Sequence, residues 1–289
     1  MSSPRCAPAI RSQIIPMGQG AIRANIGQQN LSLVNAPVPP LPEQRAIAKA
    51  LSDVDGLRGA LDRLIAKKRD LKKAAVQQLL TGQVRLPGFH GAWEVKAIGD
   101  EIDLLTGFPF PSTKYVESGV RLLRGSNVKR GETDWSEGLV QCWPKISPEI
   151  AVYELEVGDL VIAMDGSLVG RSYARLSQSD LPALLLQRVA RIRSETIDIG
   201  FLSHFVGSDR FIKHCDSVKT VTAIPHISPA DIRKFSIPLP PSKAEQTAIA
   251  EVLSDMDAEL WALEQRREKA RALKQAMMQE LLTGRTRLV

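Results

Sequence analysis

Cysteine is scarce in this chain. Cys6, Cys142 and Cys215 are the three among 289 residues, far apart and without CxxC spacing. That pattern excludes a disulfide framework and a cysteine-based zinc site, and it fits a reducing compartment. Long apolar runs are missing too. No stretch approaches the ~18 apolar residues that a membrane-spanning helix needs. The opening MSSPRCAPAIRSQ lacks the apolar centre of a signal peptide, so a cytoplasmic location is expected. The four histidines, His90, His204, His214 and His226, form no ligand spacing, and none of GxxxxGK[ST], HExxH or GxSxG occurs. Nucleotide-phosphate, zinc-protease and serine-hydrolase chemistries thus have no motif to stand on. Glu94-Val-Lys96 matches the last two residues of a metal-dependent nuclease motif. It lacks an upstream acidic partner and is read as surface charge. His204 and His214, ten apart on an expected helix, are read as packing or solvated residues.

What the chain does contain is a unit of about fifty residues that occurs twice. PVPPLPEQRAIAKALSDVD leads through a charged stretch to QQLLTGQVRL, between Pro37 and Leu86. PLPPSKAEQTAIAEVLSDMD leads through another to MQELLTGRTRL, between Pro238 and Leu288. Glu43-Gln44, Leu51-Ser52-Asp53 and Leu79-Leu80-Thr81-Gly82 match Glu245-Gln246, Leu253-Ser254-Asp255 and Leu281-Leu282-Thr283-Gly284, at one offset of 202. Two copies around about 150 unrelated residues are not a stacked solenoid; they bracket an insert.

Each copy reads as a long helix. In the first, apolar residues recur at a heptad period through Ile47, Val54, Leu57, Leu61, Leu64 and Leu71. In the second, Ile249, Val252, Met256, Leu263, Leu273 and Met277 occupy the corresponding seam. Pro42 before the first run and Gly82 after it are helix punctuation. A helix from Glu43 to about Leu80 would extend about 57 Å. Each has one narrow apolar seam and is otherwise densely charged, so the two are expected to pack together as a coiled coil. The competing arrangement lays each helix on a globular core.

The flanking and intervening segments differ in texture. Met17–Ser32 is Gly- and Gln-rich with no helical or strand period. Gln29-Asn30-Leu31-Ser32 and Pro225-His226-Ile227-Ser228 occupy matching places ahead of the two Pro-rich hinges, the first spacing five residues shorter. Residues 1–36 are then either the tail of a domain whose body is missing or a disordered leader. Residues 94–235 contain short apolar runs, Gly119–Arg124, Asp159–Met164 and Leu184–Arg193, bounded by turn formers. Helical spacing appears at 199–214, and Trp93, Trp135 and Trp143 are core candidates. A mixed α/β domain of about 140 residues is expected. The full chain is α+β: this domain flanked by two long helices. The divisions are 1–36, the first hinge and helix at 37–86, the globular domain at 87–235 and the second hinge and helix at 236–289.

Net charge is +6, but residues 94–235 carry 17 Lys and Arg against 19 Asp and Glu. Contact with nucleic acid there requires cations gathered on one face. Loops beside the expected strands hold suitable residues. Arg124, Ser126, Asn127, Lys129 and Arg130 form one group, Ser167 and Arg171 a second, and Lys219, Thr220, Thr222 and His226 a third. Gln187 and Arg188 are placed on a strand. Arg pairs with guanine and Asn with adenine through two hydrogen bonds each, while Lys and Ser suit phosphates. Each stretch taken alone reads better as a solvated loop than as a DNA contact.

Together, PLPPxxEQxxIAxxLSDxD with a long helix ending in LLTG, present twice, resembles the specificity subunit of type I restriction-modification enzymes. Thr106–Ser112, Gly119–Gly125, Gly158–Met164, Gln187-Arg-Val and Ile224–Ser228 add to the likeness, which covers the chain from about residue 20. The resemblance implies two target recognition domains, each followed by a helix, with the helices paired antiparallel to set the distance between two DNA half-sites. It also implies docking of modification (methyltransferase) subunits, which bind S-adenosylmethionine and methylate adenine. ATP- and Mg2+-dependent translocation and cleavage belong to a third, restriction subunit. This chain would bind no cofactor or metal and hold no catalytic residue. It departs from the pattern in having one complete recognition domain, so it resembles a truncated or half-type subunit that reads one half-site, or pairs with a second copy to read two. The alternatives are a coiled-coil adaptor or recombination relic that does not touch DNA, and a nuclease using Glu94 and Lys96.

Overall fold

The computed structural model describes residues 8–18, 25–35 and 37–288. Helices α1 (Pro8–Ile14) and α2 (Gln28–Ser32) precede the 39-residue α3 (Leu41–Leu79). Then come β1 (Glu94–Ala97), β2 (Asp103–Thr106), β3 (Val120–Leu123), β4 (Cys142–Trp143), β5 (Leu160–Ala163), β6 (Tyr173–Arg175), β7 (Ala183–Leu185) and β8 (Val189–Arg193). Helices α4 (Ile199–Val206), α5 (Asp209–Val218) and α6 (Pro229–Arg233) and strand β9 (Ser236–Leu239) lead to α7 (Lys243–Leu281), again 39 residues. The chain divides into two compact units, 1–71 with 257–289, and 72–256. Both long helices contribute to both units.

In the first unit the two helical segments run antiparallel. Lys274 meets Asp55 at 2.5 Å, Arg267 meets Asp62 at 3.7 Å and Lys68 meets Glu259 at 2.7 Å, one number falling as the other rises. The inward row follows the half-buried Val54 and Arg58, the buried Leu61 and Ile65 and the half-buried Lys68 in alternating four- and three-residue steps. The opposing row follows Leu263, Arg267, Ala270, Lys274 and Met277 in the same rhythm. Leu57, Leu64, Leu71 and Leu273, expected in the seam, are instead exposed. The row passes one residue beyond Leu57, Leu64 and Leu273. Its places at 58, 68, 267 and 274 are taken by cationic side chains, whose methylene stems pack while their heads reach carboxylates. Reading apolarity alone therefore chose the neighbouring leucines. Ile47 and Leu61 are buried as expected, and Ile65 is a seam residue that the heptad reading missed.

The LLTG signature has a local cause, the same in both copies. Thr81 Oγ1 donates to the Gln77 carbonyl at 2.6 Å, and Thr283 Oγ1 to the Gln279 carbonyl at 2.5 Å. Gly82 and Gly284 then adopt φ of 70° and 73°, the left-handed stop that favours glycine. The chain turns back so that an arginine three residues on reaches a carboxylate in the first turn of the other helix. Arg287 grips Glu43 at 2.6–2.9 Å, and Arg85 grips Glu245, its second nitrogen at 2.7 Å. Ahead of α3, Gln13 and Asn35 exchange two bonds of 2.9 Å. Gln29–Ser32 lie within α2, whereas Pro225–Ser228 are non-helical and Ser228 caps α6, so their correspondence does not extend to conformation.

The second unit holds the globular domain. Its four-stranded antiparallel sheet has the order β2-β8-β5-β6. A three-stranded sheet, β4-β3-β7, pairs β3 parallel to β7. Strand β5 is buried along its whole length because the two faces of the four-stranded sheet are both covered. Leu160 and Ile162 pack with Phe201, Phe205 and Phe211 of α4 and α5, while Val161 and Ala163 pack with Leu123 and Leu185. The Leu184–Arg193 run is two strands, β7 and β8, broken at Gln187-Arg188. The 199–214 helix is likewise split at Gly207, where any Cβ would lie 2.2 Å from Tyr173 Oη. Trp93 packs on Phe201, and Trp135 and Trp143 join the two smaller clusters. Ile249 and Leu253 are buried and Met256 half-buried against this domain, together with Leu79 and Leu80, while Val252 faces outward. No described helix is long and apolar enough to cross a membrane.

The seam assignment separates neighbouring residues. Ile65→Ala is expected to destabilise the chain by about 2–4 kcal/mol, and Leu64→Ala by less than about 1 kcal/mol. Denaturant titration of both variants checks this. Equal losses would restore the heptad register.

Candidate nucleic-acid interface

Strand ends and connections of the second unit bring three of the candidate stretches together. β5 ends at Asp165. Ile227 N–H donates to the Met164 carbonyl at 2.9 Å and Gly166 N–H to the Pro225 carbonyl at 3.0 Å, so the 164–171 and 219–228 segments lie side by side. Met164 N–H also donates to the Arg188 carbonyl at 2.8 Å, which draws in the β7–β8 connection. Between them is a cavity of about 490 Å³ lined by Met164, Asp165, Arg188, Ile224, His226 and Ile227 among others. The 124–127 turn adjoins the same place, with Gly125 facing Asp165 Oδ1 and Ala163.

Arg188 has φ of 68°, the one non-glycine in the left-handed region among the described residues. That conformation costs about 1 kcal/mol or more for a side chain of this kind and is held by the surrounding hydrogen bonds. It turns the guanidinium outward, where Nη1 pairs with Asp165 Oδ2 at 2.9 Å. Gln187 beside it is exposed. Both were placed on a strand, and both lie in the tight turn between β7 and β8; the apolar residues on either side had joined two strands into one. Thr220 Oγ1 sits 2.9 Å from His226 Nδ1 and 3.1 Å from Thr222 Oγ1, a chain of polar atoms along one loop. Val221 and Ile224 stand exposed on that loop, apolar tips with no charge or hydroxyl to mark them in the sequence.

Arg171 and Lys219 converge on Asp216, at 3.4 and 2.6 Å. The Lys219 hydrogen bond holds the Asp216 carboxyl below its ordinary range. Such exposed pairs are worth little in water, so a phosphate can take over the cations at small cost. Ser126, Arg130 and Ser167 are exposed, and Lys129 Nζ rests 2.8 Å from the Ser126 carbonyl.

Two candidates are corrected. Asn127 is fully buried: its Oδ1 accepts from Arg124 N–H at 3.1 Å and its Nδ2 donates to the Asp134 and Leu139 carbonyls at 2.9 and 3.2 Å. No hydrogen-bonding edge is left for a base. Arg124 is half-buried, and its Nη2 is 2.5 Å from the Leu139 carbonyl. Both side chains shape the turn that displays Ser126 and Arg130. Glu94 and Lys96 lie on the exposed β1, where Lys96 contacts Glu101 at 3.3 Å and Glu94 at 3.5 Å. No cluster of three His, Cys, Asp or Glu suited to a metal occurs among the described residues.

Asp180 anchors the loop that carries Lys129 and Arg130. Thr133 Oγ1 donates to its carboxylate, as do Trp135 Nε1 at 3.0 Å and the Ser177 hydroxyl and backbone N–H at 2.7 Å. Burial pushes this carboxyl up, but those hydrogen bonds outweigh it and hold the pKa below the ordinary value. A depressed folded-state pKa stabilises above the unfolded carboxylate value of about 4, and that contribution is lost as pH falls through the folded value. Asp180→Asn is therefore expected to cost about 1–3 kcal/mol at pH 7. The gap to the parent chain should close as the solution is acidified below about pH 4. Melting curves across pH test it, and a gap that does not vary with pH would remove the charge from the explanation.

Residues 92–272 match the family model of the type I restriction modification DNA specificity domain. Over 270 residues the chain is 31% identical to the type I restriction enzyme MjaVIII specificity subunit of Methanocaldococcus jannaschii, covering 88% of this chain and 63% of that one. It therefore spans less than two-thirds of that relative's length. It is 32% identical over 164 residues to the type I restriction enzyme EcoAI specificity subunit of Escherichia coli, 55% of this chain and 28% of that one. The fold is that of a type I restriction-modification S subunit from M. genitalium, with a TM-score of 0.60 at 16% identity, over 95% of this chain and 70% of that one.

Proposed function

Because the chain belongs to the type I restriction-modification DNA specificity family, we propose that it is a DNA-specificity subunit whose single complete recognition domain reads one half-site. The observation that carries this reading is the convergence of the 164–171, 187–188 and 219–228 segments around Asp165 and Arg188. The reading loops there are carried on a rigid sheet, which suits base recognition. Arg188 and Gln187 are the residues proposed to meet base edges. Arg130, Lys129, Arg171 and Lys219 are proposed to meet phosphates, with Ser126, Ser167, Thr220, Thr222 and His226 between them.

The helical pair is proposed to dock methyltransferase subunits. Leu57, Leu64 and Leu71 support this: they recur every seven residues on α3, off the buried row and open to solvent. A stripe of that kind fits the groove or helix of a partner. Methyl transfer with S-adenosylmethionine, and ATP- and Mg2+-driven cleavage, are assigned to partner subunits. This chain is proposed to contribute recognition without catalysis and to act in the cytoplasm.

Co-purification with the modification subunit, followed by mapping of methylated adenines, tests the whole reading. A chain that recruits no partner and binds no duplex would leave the helical adaptor in its place. Within the interface, Arg188→Ala is expected to lower affinity for the selected duplex by about 5- to 150-fold and flatten preference at one position. Arg130→Ala is expected to weaken all duplexes alike and reduce the salt slope by about one. Binding titrations at several salt concentrations separate the two behaviours, and unchanged affinity in both variants would remove these residues from the interface.

A further inference from the structure

The cavity beside Arg188 is apolar inside, although hydroxyls and charges surround it. Met164 and Ile227 are nearly buried and form its floor, while Ile224 stands at the rim with 58% of its surface exposed. The hollow is preformed. Ile227 N–H donates to the Met164 carbonyl at 2.9 Å, and Asp165 and His226 face each other as an antiparallel bridge. The polar side chains of the lining are engaged within the chain. Asp165 pairs with Arg188 at 2.9 Å, His226 Nδ1 lies 2.9 Å from Thr220 Oγ1, and Ser228 Oγ donates to Asp231 Oδ2 at 2.7 Å. A polar group entering such a hollow would lose its water without gaining a partner, whereas an apolar group gains from burial.

Arg188 stands at the edge of this hollow. Asp165 holds one nitrogen of its guanidinium, Nη1. An arginine has five N–H donors, so a guanidinium steadied in this way keeps donors for the O6 and N7 acceptors of guanine. The apolar group that a base pair presents in the major groove is the 5-methyl of thymine. Successive bases along one strand are about 3.4 Å apart. A thymine adjoining the guanine therefore brings its methyl beside the guanidinium, where the apolar hollow lies.

We infer that this cavity reads the 5-methyl group of a thymine next to the guanine met by Arg188. The inference rests on the proposed DNA reading and adds to it a base and the residues that choose it. Ile224 covers the methyl from the rim, and Met164 and Ile227 receive it from below. A cytosine in the same place would leave the hollow unfilled and turn its amino group toward an apolar wall. The left-handed turn at Arg188 and the bridge at Asp165 hold the guanidinium and the hollow side by side, so the two neighbouring bases are read as one unit.

The intact chain, alone and co-purified with the modification subunit, is titrated with a fluorescent duplex selected from a random pool. Each thymine of that duplex is then replaced in turn by deoxyuridine, which lacks the 5-methyl and nothing else. One thymine, adjoining a guanine, is expected to lose about three- to tenfold in affinity without its methyl. Ile224→Ala alters an exposed side chain and is expected to bring that thymine-to-uridine ratio down to about twofold or less. Replacing the adjoining guanine by 7-deazaguanine should weaken the parent and Ile224→Ala alike, which separates a lost methyl contact from a distorted loop. Selective binding that ignores every deoxyuridine would overturn the inference and leave the DNA reading standing. So would a methyl-sensitive thymine away from any guanine, or a ratio unchanged by Ile224→Ala. No sequence-selective binding in either form of the protein would overturn both.

Discussion

The pairing of an arginine from the end of one repeat with a glutamate from the start of the other is the interaction on which the rest of the arrangement hangs. Glu245 has no exposed surface, and Arg85 satisfies both its oxygens while donating to the Gly91 and His90 carbonyls at 2.7 and 3.2 Å. A buried carboxylate without such a partner is strongly destabilising, by about 3–5 kcal/mol. The pair therefore selects the register at which α7 and the end of α3 meet. In that register Leu79, Leu80, Ile249 and Leu253 close over the recognition domain's largest core. The Glu43–Arg287 pair repeats the bond at the other set of matching residues.

How much of this could be read from residues alone depends on which force decided each feature. The repeats, the long helices and the globular insert were legible, because caps, hinges and the LLTG stop are local chemistry. Antiparallel pairing came from family likeness and agrees with the ion pairs. The seam was only half legible. Leu61 and Ile47 are where the heptad put them, but Leu57, Leu64, Leu71, Val252 and Leu273 are exposed. Arg58, Lys68, Arg267 and Lys274 do seam duty through their hydrocarbon stems, and a pattern of apolar letters does not register a lysine that packs.

The recognition loops show the same division. The loops were found because glycines, hydroxyls and cations cluster there, yet the roles within them depended on tertiary contacts. Asn127 was attractive as a base reader for its two-bond amide, and that same amide closes a turn instead. An acid repels a polyanion, so Asp165, Asp216 and Asp180 carry no mark in the sequence as parts of such a surface. Each one organises cations: Asp165 aims Arg188, Asp216 gathers Arg171 and Lys219, and Asp180 pins the loop bearing Arg130. The nearly balanced charge of residues 94–235 thus reflects acids that position cations.

The recognition domain begins on β1 and ends on β9, and these two strands pair antiparallel, Glu94 opposite Leu239 and Ala97 opposite Ser236. Its entry and exit are therefore about 5 Å apart, the spacing of neighbouring strands. Everything between residues 98 and 235 enters and leaves through this two-stranded stalk. The sheet and α4 also pack on Leu79, Leu80, Ile249 and Leu253, so insertions or deletions in loops remote from those contacts leave the flanking segments with the same take-off points. Change confined to the loops on the side away from those helices is then free of the contacts that set how the helices meet, so the two faces of the domain can drift on separate clocks.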